Sequence, residues 1–329
     1  MLKDAYNRTI KDLRISLTDR CNFRCFYCLP HGEPAWAKKE TLLTFEEIEK
    51  LVAIFVSLGI QKIRLTGGEP LIRRDIPVLV EMLSRLKPDL RDIALTTNGF
   101  DFVRHAEALR GAGLDRVTFS LDSLRPERFA EITAVDALGR VLASLDAAKS
   151  LGFKPIKVNA VIVRGRNEDE LAEFARFARE QDISMRFIEY MPLDSGHNWS
   201  REMVVPAREI RDAVEAAFPL RLKSKTRGTE TAWKYEFADG APGEIGIIAP
   251  VTEMFCGQCS RIRLTADGQI RTCLFSQVEY DLAGRLRAGA TDTEIIEFIE
   301  AAVLKKEERH YINDPGFIQP DRTMSFIGG

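Results

Sequence analysis

A chain of 329 residues with 45% hydrophobic content is long enough for one large folding unit and a smaller one with a sizeable core. A formal charge of −2 argues against a surface built throughout for nucleic acid, while leaving room for a local basic pocket. No run of roughly 18 or more apolar residues appears, and Met1-Leu2-Lys3-Asp4-Ala5-Tyr6 lacks the apolar core of a signal peptide, so no membrane partner and a cytoplasmic address are expected.

In chain order, short apolar runs alternate with longer amphipathic segments from Leu13 to Met191. The first expected strand, Leu13–Leu17, leads into Cys21-Asn22-Phe23-Arg24-Cys25-Phe26-Tyr27-Cys28, a Cys-x3-Cys-x2-Cys spacing. Reduced thiols this close favour a metal over a disulfide. A trio without a fourth thiolate suits an iron–sulfur cubane with one open iron, whereas a zinc knuckle would need a further ligand such as His31. A helix over Thr44–Leu58 with Thr44 as N-cap follows, then a strand over Lys62–Thr66 that ends in Gly67-Gly68-Glu69-Pro70. Helices are expected over Ile76–Leu86, Asp101–Arg110, Leu138–Leu151 and Asn167–Glu180, and strands over Asp92–Thr96, Arg116–Leu121, Pro155–Ile162 and Ser184–Glu189. Each repeat of about 30 residues has the length of a βαβ unit. The reading is an α/β fold, a partial (β/α)6 TIM-type barrel left open because six units fall short of the closed eight.

Within the strands, Leu13, Ile15, Ile63, Leu65, Val117, Phe119, Val158 and Ala160 share one face, while Arg14, Arg64, Thr96, Thr118, Lys157 and Asn159 take the other, and Arg186 continues the polar set. Apolar faces must meet the helices, so the polar ones point into the lumen. Unpaired charges there would cost several kcal/mol each, so a large polar ligand is expected inside. A one-sided antiparallel sheet would alternate in the same way but is hard to reconcile with helices between the strands.

After Pro192 the pattern turns to charged segments containing Gly and Pro, with helices near Pro206–Phe218 and Asp292–Leu304. The division expected is therefore a barrel over 1–191 and a smaller α+β domain over 192–329. The latter carries Cys256-Gly257-Gln258-Cys259 and Cys273, with an Asp267-Gly268 turn marking a hairpin between them. Three thiolates with His310 as fourth ligand would make a zinc site.

The first trio, with Tyr27 before its last Cys, and Gly67-Gly68-Glu69-Pro70 resemble the signatures of the radical S-adenosylmethionine (SAM) superfamily. Together with Leu95-Thr96-Thr97-Asn98-Gly99, Arg186-Phe187-Ile188-Glu189, Gly243-Glu244-Ile245-Gly246, Ser260-Arg261-Ile262-Arg263 after the second trio, and the terminal Gly328-Gly329, the chain resembles end to end the MoaA family, the GTP 3′,8-cyclases of molybdenum-cofactor biosynthesis. The resemblance implies two [4Fe–4S] clusters, one on Cys21, Cys25 and Cys28, the other on Cys256, Cys259 and Cys273. It implies SAM contacts from Tyr27, Gly68, Ser120 and Met191, and GTP contacts from Arg14, Arg64, Thr96, Lys157, Arg261 and Arg263. An electron delivered to the first cluster would cleave SAM, and the resulting 5′-deoxyadenosyl radical would take a hydrogen from the ribose C3′ of GTP, which then bonds to C8. The implied partners are GTP, a reductant, the next pathway enzyme and, in a homodimer, a second copy. No general acid or base is assigned. Two departures touch no metal ligand: Ser260 where the family often has Asn, and Ala134 where Gly is expected. Two rivals remain, a radical SAM enzyme that modifies peptides and a zinc-stabilised binding protein whose Gly-Gly tail is a carrier terminus.

Overall fold

A computed structural model of the chain describes residues 1–29, 36–194 and 196–328, so His31 and Gly329 lie outside the described residues. The six expected strands form as β1 (Asp12–Ser16), β2 (Lys62–Thr66), β3 (Asp92–Thr97), β4 (Arg116–Ser120), β5 (Lys157–Ile162) and β6 (Ser184–Glu189). Between them lie α1 (Phe45–Ser57), α2 (Ile76–Ser84), α3 (Phe102–Gly111), α4 (Pro126–Thr133), α5 (Leu138–Ser150) and α6 (Leu171–Gln181). Thr44 caps α1 in a reciprocal box: its hydroxyl accepts from Glu47 N at 3.2 Å, and the Glu47 carboxylate accepts from Thr44 N at 2.8 Å. Helix α4 was not expected, although Pro126 at its first turn is a start signal.

The remainder comprises α7 (Ala207–Ala217), β7 (Leu220–Leu222), β8 (Trp233–Phe237), β9 (Glu244–Ile248), β10 (Arg261–Leu264), β11 (Gln269–Arg271), β12 (Tyr280–Asp281), α8 (Leu282–Arg287), α9 (Asp292–Leu304) and α10 (Met324–Ile327). Among the described residues there is one twelve-stranded sheet, ordered β12-β11-β10-β1-β2-β3-β4-β5-β6-β9-β8-β7 and not closed on itself. Strands from beyond position 191 thus extend both edges of the barrel sheet, β10 pairing parallel with β1 and β9 parallel with β6. The hairpin at Asp267-Gly268 joins β10 to β11, with Gly268 N donating to Thr265 O at 2.9 Å.

Face parity decides the core. Ile15, Leu65, Leu95, Phe119, Val158 and Phe187 have no exposed surface and pack with the helices. Burying each such side chain stabilises the fold by about 1.5–3 kcal/mol. The opposite parity carries the polar set inward: Arg14 stands in register with Arg64 on one side and Arg263 on the other. Among the described residues no helix is long and apolar enough to cross a membrane.

Candidate functional site

The loop after β1 brings Cys21, Cys25 and Cys28 to the carboxyl ends of the strands. It hangs from the end of α4, whose last carbonyls accept Arg24 N (from Thr133, 2.9 Å) and Phe26 N (from Ile132, 3.1 Å). Ala134 closes that helix at φ 58°, a left-handed position that disfavours any residue with a Cβ by about 1–2 kcal/mol, which is why glycine is expected there. Phe23 seats the loop from below, edge-on to Phe100 and Phe129 at 6.0 Å each. Burial pushes the Cys21 thiol up to about 11 and that of Cys28 to about 12, and holds Cys25 well above its ordinary value. Amide donors point at the sulfurs: Phe23 N lies 3.4 Å from Cys21 Sγ, and the Ser325 N–H reaches Cys28.

Glu69 ties two motifs together. Its buried carboxylate accepts from Leu71 N (3.0 Å), Thr97 Oγ1 (2.7 Å) and Asn98 N (2.6 Å), so the turns after β2 and β3 share one anchor. The expectation for Gly67 and Gly68 was close approach to a ligand; within the chain itself both meet backbone. A Cβ on Gly68 would lie 2.1 Å from Arg20 O, and one on Gly67 2.4 Å from Thr18 O, so the loop from β1 could not pack here without them. Tyr27 donates to Asp122 Oδ2 at 2.6 Å, two residues beyond Ser120 at the end of β4. Asp122 Oδ1 accepts Val161 N at 2.8 Å, and burial raises its carboxyl to about 6.

The second trio flanks the hairpin: Cys256 and Cys259 precede β10, and Cys273 follows β11. An N-terminal clamp missed in the sequence fixes this corner. Arg8, buried and held by Asp4, donates to Cys256 O (2.9 Å), Glu308 O (2.7 Å) and Glu307 O (2.5 Å); the four-residue spacing of Asp4 and Arg8 was the only available signal. Ser260, the other departure, is buried and donates its hydroxyl to Asp12, docking β10 on β1. Burial would raise the Cys259 thiol, but Arg261 and Lys306 outweigh it and draw it down to about 6. The backbone N–H groups of His310 and Phe275 reach Cys256 and Cys273. Nδ1 of His310 accepts Ile312 N at 3.3 Å, and burial lowers the imidazole below its ordinary value.

Cys256, Cys259 and Cys273 line one cavity of about 160 Å3 together with Arg14, Arg64, Thr96, Arg261 and Arg263. Met191, just past β6, and Met324 of α10 line it as well. Five of the six positions assigned to the nucleotide therefore meet in one space. Lys157 does not; it lines a lower cavity of about 110 Å3 at the amino ends of the strands, which shares Arg14, Arg64 and Arg261 with the upper one. Of the four positions assigned to SAM, Met191 lines the upper cavity, while Tyr27, Gly68 and Ser120 gather at the carboxyl ends of β1, β2 and β4.

The lumen is short of negative charge. Burial and then neighbouring guanidiniums lower Arg263 to about 9 and Arg64 to about 10, and Lys157 falls to about 6 through burial and the charges of Arg186, Arg116 and Arg64, with Glu230 opposing. A polyanion should return a proton to Lys157. Only the ammonium form attracts it, so affinity should fall as pH rises above about 6, by up to about tenfold per unit, until the pKa of Lys157 in the complex is passed. Calorimetric titration of inorganic tripolyphosphate in buffers of different ionisation enthalpy measures that proton. Uptake identical in the parent and in Lys157→Met would refute the linkage.

Among the described residues no group of three or more His, Cys, Asp or Glu side chains is arranged to hold a single metal ion. Each trio of thiols, with amide donors reaching Cys21, Cys28, Cys256 and Cys273 and the Arg261 guanidinium reaching Cys259, fits an iron–sulfur cubane, whose ligated irons occupy separate corners.

Comparison with known proteins covers the whole chain. The profile of the Radical SAM superfamily matches residues 15–178, and that of Molybdenum Cofactor Synthesis C matches residues 183–312. A GTP 3′,8-cyclase of Streptomyces coelicolor is 47% identical over 331 residues, spanning 100% of this chain and 96% of the relative. That of Mycolicibacterium smegmatis is 46% identical over 332 residues, spanning 100% and 92%. Among solved structures, Streptococcus suis SuiB bound to precursor peptide SuiA superposes with a TM-score of 0.60 at 17% identity, covering 98% of this chain and 77% of that one, a likeness of fold alone.

Proposed function

The chain belongs to the radical SAM superfamily and, within it, to the GTP 3′,8-cyclases, and on that premise we propose that it converts GTP to (8S)-3′,8-cyclo-7,8-dihydroguanosine 5′-triphosphate, the first step of molybdenum-cofactor biosynthesis. The observation that carries the reading is the upper cavity, which joins the second cysteine trio to a rung of guanidiniums drawn from β1, β2 and β10. A base held at the trio would have its phosphates within reach of that rung. Charge-assisted bonds from guanidinium to phosphate contribute roughly 1.5–3 kcal/mol each.

When bound, the clusters and SAM supply reductive cleavage of SAM and the radical that removes the C3′ hydrogen. Cys21, Cys25 and Cys28 would hold one cluster, and Cys256, Cys259 and Cys273 the other. Tyr27, Gly68, Ser120 and Met191 are assigned to SAM; Arg14, Arg64, Thr96, Lys157, Arg261 and Arg263 to GTP. The chain's own contribution is to orient the ribose between the two trios and to keep water out. The profiles change over between residues 178 and 183, which supports a division near position 191 into barrel and C-terminal units. As partners we infer an external one-electron reductant, the next enzyme of the pathway and, in a homodimer, a second copy; the address is cytoplasmic.

The peptide-modifying alternative is disfavoured by the cationic lumen, which suits a triphosphate better than a peptide backbone. The deciding experiment is anaerobic incubation with SAM, reductant and each of the common nucleoside triphosphates in turn. GTP alone should be consumed, with 5′-deoxyadenosine formed in step with a cyclised nucleotide. Release of 5′-deoxyadenosine that no nucleotide affects would overturn the reading.

A further inference from the structure

The lower cavity is more basic than its neighbours can balance. Lys62, Arg116 and Lys157 join the guanidiniums of the shared rung, to which Arg186 also belongs. Among the described residues three carboxylates line the cavity with them, and a fourth, Glu244, attracts Arg186 from outside it. Asp92 is committed to Arg116, whose Nε lies 2.6 Å away, and Asp12 accepts the Ser260 hydroxyl. The third is Glu230, on the segment between β7 and β8, 3.9 Å from Arg186 and 3.1 Å from Lys234. Arg186 is 7% exposed, and its Nε and Nη2 are buried with no hydrogen-bond partner among the described residues. A buried guanidinium with unused donors, beside a carboxylate that lies at ion-pair but not hydrogen-bond distance, is an anion site with a weak internal occupant.

The segment that carries Glu230 is seated without a core of its own. Arg227 stacks over Trp233 at 5.2 Å and over Phe255, the neighbour of Cys256, at 4.8 Å. Lys223 to Thr226 and Gly228 to Glu230 are exposed, and among the described residues nothing lies within 4 Å of where a Cβ on Gly228 would project. Displacing Glu230 therefore disturbs little packing.

We propose that Glu230 is a specificity-determining residue of the nucleotide site, its carboxylate standing in for phosphate at the lower mouth so that only a ligand with several phosphate charges displaces it. The proposal rests on the reading of the protein as a GTP-converting enzyme. A triphosphate brings more charge to Arg186, Lys157 and Arg64 than the single carboxylate it removes. A monophosphate brings little more, and repulsion from Glu230 opposes it. Glu230 itself stays ionised: burial raises its carboxyl, but the hydrogen bond from Lys234 and the charges of Lys234, Arg186 and Lys157 bring it below its ordinary value.

The test is equilibrium binding of GTP, GMP and inorganic tripolyphosphate to the cluster-loaded full chain. In Glu230→Gln the ratio of GMP to GTP dissociation constants should narrow by about fivefold or more, and Glu230→Asp should restore most of the parent ratio. Lys234→Met, which releases Glu230 toward Arg186, should widen it. A ratio unmoved in Glu230→Gln with melting temperature and iron content intact, or a ratio narrowed by Lys234→Met, overturns the proposal. If the parent binds and converts GTP while the ratio stays put, only the role of Glu230 falls. If the parent binds neither GTP nor tripolyphosphate, the GTP reading falls with it.

Discussion

Cys25→Ala should halve the iron of the anaerobically reconstituted protein, from about eight to about four per chain, and abolish SAM cleavage. The expectation follows from how the first trio is built. Its three thiols sit on one short loop that α4 and the Phe23 ring stack hold in place, and Ser325 N–H already points at Cys28. Burial raises all three thiols above their ordinary value, so coordination must draw off their protons, and loss of one thiolate leaves a cubane only two ligands on this loop. Cys259→Ala should also halve the iron, yet leave some 5′-deoxyadenosine formation uncoupled from nucleotide, because the first site stays intact. Iron analysis and product chromatography measure both. A stoichiometric zinc signal with little iron in the parent would sink the cluster assignment and favour a zinc-stabilised binding protein.

Removing Gly328 and Gly329 should leave about eight irons and SAM binding in place while product formation falls by about a hundredfold or more. A chain terminus is frayed by default. Here Gly328 O accepts from Arg263, and Gly328 N donates to Met324 O at 2.9 Å. At φ 82°, a Cβ on Gly328 would lie 2.8 Å from Thr66 Cγ2 and 3.3 Å from Ser16 Cβ, so only glycine fits between the ends of β1 and β2. Truncation takes the carbonyl away from a buried guanidinium that neighbouring guanidiniums already destabilise, and the rung it belongs to loosens. Arg263→Ala attacks the same contact from the other side. It should weaken GTP binding tenfold or more, a loss of at least about 1.4 kcal/mol, with iron complete. Unchanged turnover by the truncated chain would make the tail a passive end.

Much of this arrangement follows from periodicity. The alternation of Leu13 and Ile15 against Arg14, and of Ile63 and Leu65 against Arg64, assigns each side chain to helix face or lumen, because parity along a strand is a property of the sequence alone. The capping box at Thr44 and the turn at Asp267-Gly268 are local in the same sense. Helix α4 was missed because its eight residues sit against α5 without a clear break in pattern, and β7, β11 and β12, two or three residues each, are too short to show any period.

Depth along the barrel axis is a different matter. That Thr96 faces the upper cavity and Lys157 the lower one depends on the stagger between parallel strands, which the twist and tilt of the whole sheet set. That β10 lies against β1, putting Arg263 beside Arg14, depends on which edge the C-terminal chain reaches, and no local pattern encodes that. Glu189 shows the limit most plainly. In the sequence it ends an alternating strand; in the fold its buried carboxylate collects Ala207 N, Val251 N and Thr252 N at 2.8–2.9 Å, gathering two distant segments whose amides would otherwise be buried without partners. The sequence alone thus determined which side chains face inward and which thiols cluster. The tertiary structure alone decided which of the inward-facing groups meet, because register and edge pairing are settled only when separate segments satisfy one another's hydrogen bonds.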